Sequence, residues 1–368
     1  MSGRQLRHYV PLSAPSTREY AAGNESDFRL SLGFTPGWFR SHLGIDFSER
    51  WHKDPVYRYE TLVQMRTLLH GMFPNLPQFR PRYNKMGMEA NCATLSGVYG
   101  SCPILAVYGL PIRFYADKWP ATTGYFTKEQ LVKLKPIAME DSPFVQELLA
   151  QMDTIEAQYG EIDGYLGYQG ILNNAFRLMG QEIFIEMLDD PPFAEFLFEH
   201  ISETMLSFIK LVQERQRQSG SNVDFLSVSN CVINMISPAL YEEQLLPFDR
   251  KLANAFETFG IHTCNWDVTG YIQPFQQLRP LGYLDMGMMS DMKKARETFP
   301  EARLAVLYHP KLLLEKTTEE IRRDFQKICA EAAPVDLALV DIEANVPDER
   351  VQEIVSMAYE LECMHSRS

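Results

Sequence analysis

Leu284-Asp285-Met286-Gly287-Met288, Arg303-Leu304-Ala305-Val306-Leu307 and Leu337-Ala338-Leu339-Val340-Asp341-Ile342 are three short apolar runs in the last third of the chain. Each is followed by a stretch of helical character: Asp291 to Thr298, Thr318 to Ala332 behind a Thr317 cap, and Pro347 to Glu362. Strand-length runs alternating with helices describe a parallel sheet joined by crossover helices. Two further units precede them. Val223 to Val228 reads as a strand before a helix with Ser237 as N-cap and Pro238 in its first turn, and Phe259 to Asn265 as a strand before a helix near 269–279. Strand-like runs at 110–115 and 162–168, with one earlier strand left unplaced, bring the expectation to a closed (β/α)8 barrel. An open doubly wound sheet is the alternative, but no strand leads into a glycine-rich phosphate turn.

With 368 residues the chain can bury a large core as one unit. Residues 1–30 read as a polar, irregular arm, and Pro55 to Phe73 as a helix with Pro55 in its first turn. The expected organisation is an N-terminal extension with a packing helix over residues 1–75 and the barrel over 76–368. Gly160, Gly164, Gly167 and Gly170 surround the 162–168 run and suggest tight turns or close backbone approach.

Composition narrows the function classes. A formal net charge of −13 argues against a nucleic-acid binder, because phosphate recognition needs a basic surface. No run approaches ~18 apolar residues, so no spanning helix and no membrane association are expected. The start of the chain lacks an apolar leader core, and the six cysteines form no compact framework, which together point to a reducing, cytoplasmic setting.

If the sheet is a barrel, its chemistry belongs at the C-terminal ends of the strands. His262 and Cys264 lie two apart in Phe259-Gly260-Ile261-His262-Thr263-Cys264-Asn265-Trp266-Asp267, so on a strand they share a face and could hold a divalent metal, zinc first. Other strand ends offer Cys231, Met288, Asp291 and His309, and the last offers Asp341 and Glu343. Each has a plainer reading. Cys231 suits a packed thiol, Met288 core packing, Asp291 a favourable charge at a helix N-terminus, and His309 a helix cap before Pro310. Asp341 and Glu343 are harder to dismiss, since two acids leaving an apolar strand need solvent, a metal or a protonated partner.

A wider set of marks then comes into view. Leu110-Pro111-Ile112-Arg113-Phe114 precedes Trp119-Pro120, and Tyr168-Gln169-Gly170 precedes a helix with Leu178-Met179-Gly180. Asp189-Asp190-Pro191, Ile236-Ser237-Pro238 with Tyr241, and Leu246-Pro247-Phe248 come next. His262-Thr263-Cys264, Gly282 to Asp285, His309-Pro310 and Pro347-Asp348-Glu349 complete the set. In this order and spacing, over about residues 104 to 361, the chain resembles the uroporphyrinogen decarboxylase superfamily, which includes corrinoid-linked methyltransferases acting on coenzyme M or tetrahydrofolate.

The resemblance implies a (β/α)8 barrel. In the methyltransferase branch it implies a zinc at the barrel mouth, held by a His-x-Cys pair matching His262 and Cys264 and by a later cysteine near the last strand. That place here is Asp341-Ile342-Glu343, with Cys363 a helix further on. Glu343 is therefore the expected third ligand, with Asp341 and Cys231 as alternatives. Glu343, Asp341 and Asp291 are the expected catalytic groups, and Asn265, Trp266, Met288 and His309 the expected cofactor contacts. The implied activity moves a methyl group between a small molecule (a methoxylated compound, a thiol or a folate) and cobalamin, free or on a corrinoid partner protein; a homodimer is the oligomer considered. The alternative is a metal-independent decarboxylase-like lyase. That branch's arginine-rich N-terminal signature is not found here, and Arg80, Arg82 and Arg113 do not reproduce it. A non-enzymatic binding module is the third class.

Overall fold

The computed structural model describes residues 27–365, apart from 82, 85, 90, 91, 93, 279 and 280. Arg82 and most of the expected N-terminal arm thus lie outside the described residues. The strands are β1 Phe28–Phe34, β2 Ile112–Arg113, β3 Ala121–Thr122, β4 Tyr168–Gln169, β5 Phe225–Ser229, β6 Thr258–His262, β7 Leu281–Gly287, β8 Arg303–Tyr308 and β9 Val335–Ile342. Seven of them form one sheet in the order β1-β9-β8-β7-β6-β5-β4, and all its pairings are parallel. The five units expected from residue 223 onward are β5 to β9, each followed by helix.

Two expectations fail. The run at 110–115 supplies only β2, which pairs antiparallel with β3 in a separate hairpin. Pro111, lacking an amide donor, stands directly before it. The unplaced strand is β1, in which Phe28, Leu30, Leu32 and Phe34 are all buried at a spacing of two. It pairs with β9, the last strand of the chain. Residues expected as arm and extension thereby enter the sheet itself.

The ladder is not closed into a ring among the described residues. On the β4 side, Thr94 makes one parallel bridge to Asp163, and the Leu95 amide donates to the Asp163 carbonyl at 2.9 Å. The approach is close enough that a Cβ on Gly164, whose φ is +100°, would stand 2.0 Å from Thr94 Oγ1. On the β1 side, the Gln78 amide donates to the Leu30 carbonyl at 3.2 Å.

The helices form where their apolar spacing allows and break where prolines or glycines intervene. Pro191–Gln218 is the longest. Asp190 caps it by accepting from the Phe193 amide, and it buries Phe193, Leu197, Phe198, Ile201, Met205, Phe208 and Val212 at helical spacing. The single helix expected from Pro238 to about 258 is two, Pro238–Gln244 and Leu246–Ala253. Pro247 has no N–H to continue the first and suits the opening turn of the second. No described helix is long and apolar enough to cross a membrane.

Alternation along the strands sorts the sheet's two faces. Tyr168 stacks edge-on against Phe208 of Pro191–Gln218 at 6.3 Å, so that face meets the helices. The opposite face is the interior. At its lower end Asp336 of β9 binds Arg303 of β8 at 2.6 Å and Arg29 of β1. Higher up, Leu307, Ala338 and Val340 form a small apolar cluster separate from the main core.

Candidate metal centre

The site is built from the ends of three adjacent strands. Ser229 of β5 is in register with His262 of β6, and Ile261 with Leu284 of β7. His262 therefore faces Asp285 across one strand spacing, and Nδ1 lies 2.7 Å from Asp285 Oδ2. Asp285 is fully buried in an apolar strand, and its carboxylate has its donors around it. Tyr283 Oη donates to Oδ2 at 2.9 Å and the Thr263 amide to Oδ1 at 2.6 Å. A carboxylate can only accept, so Nδ1 carries the proton and Nε2 presents the imidazole's lone pair.

That lone pair points at sulfur. Nε2 is 3.2 Å from Cys264 Sγ, which is 2.8 Å from Cys231 Sγ. Cys264 reaches this position in the left-handed region, at φ 65°, just past the end of β6. Cys231 arrives on the short 3-10 turn Cys231–Met235 after β5. The contact with Cys264 brings the Cys231 thiol down to about 5, against the opposing effect of burial and with help from His262. The ligand atoms of Cys231, His262 and Cys264 all lie within 4.8 Å of one another.

Their chemistry fits a thiophilic divalent ion. Two thiolates and a neutral imidazole are a common catalytic zinc set, leaving a fourth position open. Zinc would need the sulfurs to part by only about 1 Å to reach tetrahedral spacing, a side-chain adjustment. The Asp285 carboxylate behind His262 is the outer partner that metal-bound imidazoles generally have.

The remaining expected residues are dispersed. Glu343 is exposed on the turn after β9, where its carbonyl accepts from the Val346 amide at 3.0 Å, and it lies outside the three-residue group. Asp341 also lies outside that group, with φ 51°. Its side chain is exposed to solvent. Desolvation by the protein around it still raises the carboxyl pKa, although His262 and His309 oppose the rise. Asp291 caps Met292–Thr298 by accepting from the Lys294 amide, and His309 caps Pro310–Glu315 by accepting from the Lys311 amide. Both make the helix-start contact that their plainer readings describe. Asn265 is exposed, but its carbonyl lies over Gly287, where a Cβ would come within 2.0 Å of it. Trp266 is half-buried, edge-on to Tyr271 at 5.2 Å, and Met288 is half-buried against the core. The residues not anticipated are Asp285, Tyr283 and Thr263. A lone acid inside the apolar run 284–288 was the available signal.

This chain is similar in fold to a methyltransferase from Methanosarcina mazei. The two share 15% sequence identity at a TM-score of 0.62, over 92% of this chain and 94% of that one. At that identity the likeness is one of fold. No family model and no curated protein matches the sequence.

Proposed function

We propose that the protein is a methyltransferase built on a variant (β/α)8 barrel, with the segment around Thr94 standing in for a strand between β1 and β4. Cys231, His262 and Cys264 would hold a zinc ion at the strand ends, and the methyl group would pass between a small molecule and cobalamin, free or on a corrinoid protein. The observation that carries this reading is the convergence of two thiols and an Asp285-oriented imidazole at one place. The shared fold with a methyltransferase supports it.

Zinc bound there would act as a Lewis acid toward a thiol or oxygen of the substrate. Asp285 fixes the tautomer and the aim of His262, and the paired cysteines would supply two negative charges to the ion. Sulfur rather than the Glu343 carboxylate in the third place makes the site softer, which favours a thiol over an ether oxygen as the atom bound. Asp341, whose carboxyl pKa is raised by desolvation, would be a group able to hold a proton.

Metal analysis tests this. Purified protein is expected to carry about one zinc per chain, lost in Cys231→Ala, His262→Ala and Cys264→Ser and retained in Glu343→Ala and Asp341→Ala. Native protein that takes up no zinc overturns the reading. Cobalamin absorbance should change when cob(I)alamin is offered with a methyl donor that the protein accepts.

A further inference from the structure

Gln169 lies on the same face as the metal group. In β4 it is in register with Ser229, which is in register with His262. Register partners in parallel strands point the same way, so Gln169 faces the interior about 10 Å from His262, two strand spacings away. Its neighbour Tyr168 takes the opposite face, against the helices.

The orientation of the Gln169 amide is set by a chain of hydrogen bonds that starts from a group with no choice. The Val232 backbone N–H can only donate, and it donates to Asn173 Oδ1 at 3.0 Å. Asn173 must then present Nδ2 on its other side, and Nδ2 donates to Gln169 Oε1 at 2.8 Å. What remains is Gln169 Nε2, two N–H donors with no acceptor among the described residues. Val232 directly follows Cys231, so the relay is anchored on the turn that carries a metal-group thiol.

We infer that Gln169 is a substrate-binding residue, donating from Nε2 to an acceptor oxygen of a small molecule that reaches from Gln169 to the metal group. This rests on the proposed metal reading and adds a substrate class to it: a small molecule with a hydrogen-bond acceptor several bonds from the atom that meets the metal. A fixed donor with no other partner discriminates by rejecting analogues that leave it unpaired.

The test uses zinc-loaded protein and two series of simple thiols: N,N-dimethyl ω-mercaptoamides with two, three or four methylenes, whose oxygen accepts and whose nitrogen has no N–H to donate, and alkanethiols of matching length. Binding is measured by calorimetry for native protein, Gln169→Ala and Gln169→Glu. The glutamate variant keeps an acceptor for Asn173 and removes the N–H donors, so it reports on the donor even if the alanine variant folds poorly. For the best-fitting amide, the affinity ratio of amide to alkane is expected to fall about tenfold in both variants, with zinc content unchanged. Equal weakening of amides and alkanes, or an unchanged ratio, overturns the assignment while leaving the metal reading intact. Zinc-loaded protein that binds neither series also overturns it. Native protein without zinc overturns both.

Discussion

At Asp285 a single buried carboxylate decides how His262 can act. It holds Nδ1 and so leaves Nε2 for the sulfurs. Asp285→Asn keeps the shape but can hold the imidazole in the wrong tautomer. It should weaken zinc binding by about 10- to 100-fold while retaining the fold, as measured by competition with a chelator. Gly287 is the second residue on which the site turns. A Cβ there would strike the Asn265 carbonyl, a backbone atom that cannot step aside without moving the Cys264 loop. Gly287→Ala is therefore expected to lower both the melting temperature and zinc retention; a variant that unfolds and binds zinc like the native protein would count against this account.

At the scale of elements, Asp249 ties Leu246–Ala253 to the end of β5. Asn230 Nδ2 and Tyr241 Oη donate to its Oδ2 at 2.9 and 2.8 Å, in full burial. Burial raises its carboxyl to about 6, against both hydrogen bonds. A carboxyl raised on folding favours the protonated folded state. Its contribution is complete below the unfolded value near 4 and is lost as pH rises through about 6. Unfolding free energy should thus drop by on the order of 3 kcal/mol over that window from this group. Asp249→Asn should flatten that drop, a result denaturant titrations at pH 5 and pH 8 would reveal. Element boundaries were legible where local chemistry governs them. Ser237 and Thr317 cap their helices as their positions predict, because a side-chain oxygen meets an amide only three residues away. The break at Leu245 needed only Pro247, yet the apolar spacing on both sides masked it.

Across the whole molecule, Asp336 joins the first strand to the last two. Burial alone would raise its carboxyl, but the Arg29 and Arg303 guanidiniums outweigh that and hold it below the usual range. A depressed carboxyl stabilises the fold above the unfolded value near 4, and that stabilisation is lost as pH falls through the folded value. Asp336→Asn should cost about 3–5 kcal/mol at neutral pH, since two buried cations lose their counter-charge. Its melting curve should converge on the native one under acid conditions. The sequence by itself determined the alternation of strand and helix from residue 223 and the helix caps, because each depends on spacing within a few residues; Cys264 meets His262 through a left-handed turn past β6 rather than by strand alternation. Only the tertiary structure decided that β1 pairs with β9, that the ladder stays open beside Thr94, and that Cys231 rather than Glu343 meets the pair. Those outcomes depend on contacts between segments far apart in the chain. Cys231 reaches His262 and Cys264 because β5 and β6 lie side by side and both turns leave the same end of the sheet. Glu343 comes off β9, three strands from β6, exposed on the turn and outside the group.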